Sequence, residues 1–163
     1  MLVVGLRKER DACEWLRAVS RVDGKCRSRS DELLTVMSGS SRYIASPGYP
    51  LRYYMFADCR WRLVTERHQS LRLTVVDFEL DVRRAGLCHD RLDIDAVTRT
   101  EHTSTNYFSE CGALGKHVID VDSNQAVVRF VSGGAGPAQR GFLLHVQCKY
   151  TRYYSPPGAV NEQ

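Results

Sequence analysis

The 163-residue sequence predicts an all-β protein, a jelly-roll β-sandwich of two antiparallel sheets that is stabilised by disulfides and preceded by a short helix. Three observations carry that expectation. From Glu32 onward, apolar residues recur at every second position, the period of a half-buried strand. Turn-forming clusters of proline and glycine break the alternating runs into short pieces. Six cysteines are dispersed along the chain without a CxxC pair, which favours disulfides over a zinc knuckle.

The elements follow in order. Asp11 to Val22 reads as a short helix, with Trp15, Leu16 and Val19 on one face and Arg17 and Arg21 outside. Gly24 to Asp31 is charged and serine-rich and reads as a linker. SPGYP, at Ser46–Pro50, is a rigid turn-like segment, whose Pro47 and Pro50 are expected to hold the chain extended on its way to the next strand. In CRWRLV, Cys59, Trp61 and Leu63 face inward while Arg60 and Arg62 face out; in SLRLTVVDF, Leu71, Leu73 and Val75 point inward and Arg72 out. In RLDIDAV, Leu92, Ile94 and Ala96 alternate with Asp93 and Asp95. AVVRFV is apolar on both faces, as a central strand would be. GFLLHVQC places Phe142, Leu144, Val146 and Cys148 on one face, and Gly133, Gly134 and Gly136 read as a hairpin tip. Many short strands with turn punctuation predict a sandwich or jelly roll. The expected division is a helical or linker segment over 1–25, a sandwich domain over 26–150 and a Pro-rich tail or linker over 151–163.

Composition narrows the function. No apolar run approaches the ~20 residues of a membrane span. Met1–Leu6 is cut short by Arg7, Lys8, Glu9, Arg10 and Asp11, so it is no signal peptide. Disulfides nevertheless imply an oxidising, extracellular compartment, so the chain is expected to be a fragment or to carry a wrongly assigned start. The formal net charge of +4 is mild. No aromatic residues interleave with the basic strand positions as a nucleic-acid surface requires. No G-x-S-x-G or H-E-x-x-H occurs. The adjacent Cys88, His89 and Asp90 could suggest a thiolate–histidine site, but neighbouring residues on a strand point to opposite faces. The expected function is recognition, not catalysis.

An ordered set of motifs goes further: SPGYP (Ser46–Pro50), Tyr53, Cys59-Arg-Trp61, VDFELD (Val76–Asp81), Cys88-His-Asp90-Arg-Leu92-Asp-Ile94, Cys111-Gly112, VRFVS (Val128–Ser132) and RGFLLHV (Arg140–Val146). In that order the chain resembles a CUB domain over about Cys26 to Lys149. The resemblance implies the disulfides Cys26–Cys59 and Cys88–Cys111. It leaves Cys13 and Cys148 to pair with each other or with a neighbouring domain. It also implies a calcium site, with ligand positions falling on Tyr53, on Asp81 where the family usually has glutamate, and on Asp90. The last position falls on Gly133, which carries no carboxylate.

The resemblance implies an extracellular binding module for a protein or an acidic glycan, within a larger secreted or membrane-anchored protein. The alternatives are a non-catalytic module that positions substrate for an extracellular protease, or a structural matrix module. Loops at the ends of a sandwich are the expected contact surfaces, here Tyr53–Ala57, Asp81–Leu87 and Gly133–Gln139. A second candidate surface is a basic patch of Arg60, Arg62 and Arg72, with Arg83 and Arg84 in the loop before Cys88. Nothing in the sequence sets the oligomeric state.

Overall fold

The computed structural model describes Cys26 and residues 29–82, 84–97, 104–134 and 138–150. The helix expected over Asp11–Val22, Cys13, Arg83, the Gly136–Pro137 breaker and the tail from Ser155 lie outside the described residues. Within them the chain forms strands β1 (Arg29–Thr35), β2 (Ser41–Ala45), β3 (Asp58–Val64), β4 (Gln69–Glu79), β5 (Arg91–Val97), β6 (Ser104–Glu110), β7 (His117–Val121), β8 (Gln125–Val131) and β9 (Gly141–Tyr150). They build a five-stranded sheet in the order β1-β3-β8-β5-β6 and a four-stranded sheet in the order β2-β9-β4-β7.

The alternation read from sequence becomes the core directly. Cys59, Trp61 and Leu63 of β3 face Leu71, Leu73 and Val75 of β4 and Phe142, Leu144 and Val146 of β9 across the sandwich, all buried. Trp61 meets Phe142 edge to face at 6.1 Å between ring centroids, and Phe142 meets Phe130 at 5.4 Å. Such pairs add directional preference to the burial of large apolar surface. AVVRFV is β8, at the centre of the five-stranded sheet, which explains its apolar residues on both faces.

Four local features differ from expectation. The linker read as far as Asp31 ends sooner, because Arg29–Asp31 already belong to β1. This edge strand exposes Asp31 and Leu33 and half-buries Glu32, so it lacks the usual apolar alternation. β1 also runs parallel to β3, with Ser30 opposite Cys59, while every other pairing is antiparallel. The Cys26–Cys59 disulfide, with Cα atoms 5.8 Å apart, ties the chain just before β1 to β3 and sets the two side by side. The Gly133–Gly134 segment is no hairpin tip: β8 and β9 lie in different sheets, and the loop crosses between them.

The fourth is the proline segment. Residues 47–50 fold into consecutive turns rather than an extended spacer. Tyr49 N–H donates to Ser46 O at 3.1 Å, Leu51 N–H donates to Gly48 O at 2.9 Å, and the Tyr49–Pro50 peptide is cis. Gly48 sits at φ +81°, and a Cβ there would come within 2.8 Å of Arg52 O, so the turn requires glycine. Leu143, on the face of β9 opposite Phe142 and Leu144, is buried with Ala45, against Tyr43 and Tyr49. The turn thus lays an aromatic cover over the outer side of the four-stranded sheet.

Candidate functional site

Because the strands alternate in direction, the β2–β3, β4–β5, β6–β7 and β8–β9 connections all emerge at one end of the sandwich. Backbone hydrogen bonds knit them together. Tyr53 N–H donates to Gln139 O at 3.1 Å, Gly112 N–H to Asp81 O at 3.0 Å, and Ser132 N–H to Ala57 O at 2.9 Å. The described parts of the three loops singled out from sequence therefore lie together at this end. The second disulfide, Cys88–Cys111, with Cα atoms 5.7 Å apart, pins the β4–β5 loop to the end of β6 at the same place. Cys88 is thereby committed to a disulfide, so the Cys88-His89-Asp90 run has no thiolate to offer as a nucleophile.

Tyr53, Asp81 and Asp90 converge beneath this surface. All three are buried. The Tyr53 hydroxyl donates to Asp90 Oδ2 in a short hydrogen bond and accepts from the Asp81 backbone N–H at 3.1 Å. Burial pushes the Tyr53 phenol far above its ordinary range, and its bond to Asp90 pushes it further, so the hydroxyl keeps its proton. The other Asp90 oxygen, Oδ1, accepts the Gly133 backbone N–H at 2.7 Å. Asp81 Oδ1 accepts from the Arg84 guanidinium at 3.2 Å. The phenol ring packs edge to face on Phe130 at 5.3 Å, joining the polar cluster to the core.

Tyr53→Phe removes the donor to Asp90 and the acceptor for Asp81 while keeping the ring. It is expected to cost about 2 kcal/mol of folding stability, because a buried charged group and a buried amide each lose a partner. Chemical denaturation read by intrinsic fluorescence checks this; an unchanged midpoint would show the hydroxyl to be dispensable.

Two further contacts at this end were not legible in sequence. Ser132 Oγ accepts the Ala57 N–H at 2.9 Å and donates to Tyr54 O at 2.6 Å, binding the β8–β9 loop to the β2–β3 loop. Arg140 makes a two-point ion pair with Asp77 at 2.8 Å and also bonds Glu79, and Asp77 accepts the Tyr49 hydroxyl at 2.8 Å. Burial pushes the Asp77 carboxyl up, and Arg140 and Tyr49 more than reverse it, leaving it below the usual carboxylate value. The only local signal was the β-bulge that shifts register between Val75 and Asp77, which alternation cannot reveal.

The arginines do not form one patch. Arg60 and Arg62 stand on the outer face of the five-stranded sheet, and Arg72 stands on the four-stranded one. Arg62 pairs with Asp31 at 2.9 Å, and Arg72 makes a two-point pair with Asp120 at 2.7 and 2.9 Å. Arg60 lies opposite Arg129, which is itself paired with Asp58 at 3.0 Å. Arg84 turns inward to Asp81. Cys148 is a half-buried free thiol at the edge of the core; Cys13 lies outside the described residues.

A CUB domain model matches residues 33–145. The chain belongs to the CUB domain family. This CUB domain is 30% identical over 106 residues to the cubilin homolog of Drosophila melanogaster, covering 63% of this chain and 3% of that protein. It is 29% identical over 108 residues to human procollagen C-endopeptidase enhancer 1, covering 66% of this chain and 23% of that one. Among solved structures it resembles the MASP-1 CUB2 domain bound to Ca2+, with a TM-score of 0.57 and 23% identity, covering 71% of this chain and 96% of that one. The chain thus spans a small fraction of the curated relatives it matches. CUB domains are typically non-catalytic modules that mediate protein interactions. No helix among the described residues is long and apolar enough to cross a membrane.

The calcium-bound neighbour raises the question of whether the Tyr53–Asp81–Asp90 cluster would hold the ion. Calcium takes 6–8 oxygen ligands, with carboxylates supplying the charge. Here the cluster has two carboxylates, and no group of three or more acidic, histidine or cysteine ligands occurs among the described residues. Gly133 presents an N–H donor to Asp90, and Arg84 places a positive charge beside Asp81. A calcium ion here would have two carboxylates for charge and would take its remaining oxygens from carbonyls and water.

Proposed function

We propose that this CUB domain is an extracellular recognition module that binds a partner protein through the loop end built by the β2–β3, β4–β5 and β8–β9 connections. The observation that carries the reading is the exposure, on those loops, of Leu51, Met55, Phe56, Val82 and Leu87 over a firmly bonded polar base. Phe56 is 70% exposed although its ring is large and apolar. It adopts φ +59°, a backbone region that costs a non-glycine residue energy, and its ring lies against Gly134 so closely that a Cβ there would come within 2.5 Å. A side chain displayed in this way, beside other exposed apolar groups, is suited to fill a pocket on a partner. Two disulfides fit the oxidising compartment. The arginines favour an acidic glycan less, because Arg62, Arg72 and Arg84 are each paired with a carboxylate.

The reading is tested with surface variants of matched thermal stability, crosslinked to extracellular proteins in conditioned medium and then measured against each captured protein. Met55→Ala/Phe56→Ala is expected to weaken binding at least about thirtyfold, the loss of a central hot spot. Arg60→Ala/Arg62→Ala, on the outer sheet face, is expected to leave it unchanged. The opposite pattern, or a loss of heparin binding in the arginine variant alone, would move the site to the sheet face and sink this reading.

A further inference from the structure

We propose that the loop end of this CUB domain is metal-independent, with the Arg84 guanidinium as the built-in counter-ion of Asp81 and the Gly133 amide capping Asp90. The proposal holds whether or not the loops contact a partner. Asp81 and Asp90 are buried, and a buried carboxylate requires a compensating charge or several hydrogen bonds. Each has one from within the chain. Arg84 reaches Asp81 Oδ1 from three residues along the same loop, where Arg84 and Leu87 bond each other's backbones at 2.9 Å and fix the turn that presents it. Asp90 accepts a hydrogen bond at each oxygen, from the Tyr53 hydroxyl and the Gly133 amide.

A calcium ion would have to compete with Arg84 for Asp81 and turn both donors away from Asp90. In return it would find two carboxylates for charge and would have to draw its remaining oxygens from carbonyls and water. The Arg84 side chain is 45% exposed, and its guanidinium stays charged at every physiological pH, so Asp81 always has a cation of its own chain within reach. The Gly133 position itself is open. A Cβ there would lie 3.7 Å from His89 O and 3.8 Å from Asp90 Oδ1, ordinary contact distances. Glycine is thus not enforced by crowding, and a carboxylate introduced there would stand beside Asp90.

The test is a set of thermal melts on the full chain in millimolar calcium and in EDTA, with terbium luminescence as a second readout. The native chain is expected to melt at the same temperature in both and to give no sensitised terbium emission. Arg84→Ala/Gly133→Asp, which removes the internal cation and supplies the third carboxylate, is expected to bind. Its Tm should rise by roughly 10 °C with calcium a hundredfold above its Kd. A calcium-dependent melt or terbium emission in the native chain would overturn the proposal, as would a folded double variant indifferent to calcium. Should the double variant not fold, Arg84→Gln alone decides the counter-ion role. It is expected to lower the Tm by roughly 5 °C in EDTA, by leaving Asp81 unpaired; an unchanged Tm would remove Arg84 from that role.

Discussion

Trp61→Ala is expected to destabilise this CUB domain by about 4 kcal/mol, the middle of the range for deleting a buried aromatic side chain. Trp61 is fully buried at the middle of β3, in the interior of the five-stranded sheet. It meets Phe142 from the opposite sheet edge to face, so its removal opens a void between the layers that the strands cannot close without breaking register. Total stabilities of single domains are about 5–15 kcal/mol, so the variant should be close to unfolding at physiological temperature. The expected reading is a Tm roughly 15 °C lower, by circular dichroism. Trp61→Phe, which keeps most of the volume, should recover more than half of the loss. A small shift for Trp61→Ala would mean that the two sheets are not packed through this residue.

The second large effect is reduction of the disulfides. Cys26–Cys59 and Cys88–Cys111 span sequence separations of 33 and 23 residues. In the chain-entropy model each closure of that length restricts the unfolded chain by about 3–4 kcal/mol. Together they contribute about 7 kcal/mol, comparable to the whole stability of a small domain. The native chain should therefore unfold cooperatively in urea under oxidising conditions and be largely unfolded without urea once reduced. The replacement Cys88→Ala/Cys111→Ala should lose about half of the effect and loosen the loop end in particular, because that bridge holds the β4–β5 loop to the end of β6. Equal urea midpoints with and without reductant would show that neither bridge supports the fold, and would weaken the extracellular reading with it.

The paired charges on the outer faces should matter far less. Arg62–Asp31, Arg72–Asp120 and Arg129–Asp58 are exposed pairs, which water and salt screen and which therefore stabilise little. That is why the arginines, although the most visible chemistry in the sequence, inform neither stability nor a concentrated binding surface. Arg84 differs, because its partner Asp81 is buried and has to be compensated.

The sequence by itself determined the sandwich, its inward-facing residues and its family. Those features rest on signals carried along the chain: side chains in a strand alternate with period two, so Trp61, Leu73, Ile94, Phe130 and Phe142 announce their faces without knowledge of the neighbours. The ordered motifs around Cys26, Cys59, Cys88 and Cys111 did the rest. Only the tertiary structure decided that β1 is an edge strand parallel to β3, that Arg60 and Arg72 look out from opposite sheets, and that Arg84 turns in to Asp81 while Gly133 caps Asp90. The physical reason is the same in each case. Edge position, sheet membership and ion pairing depend on residues brought together from distant parts of the chain, and a period-two pattern says which way a side chain points but not what it meets.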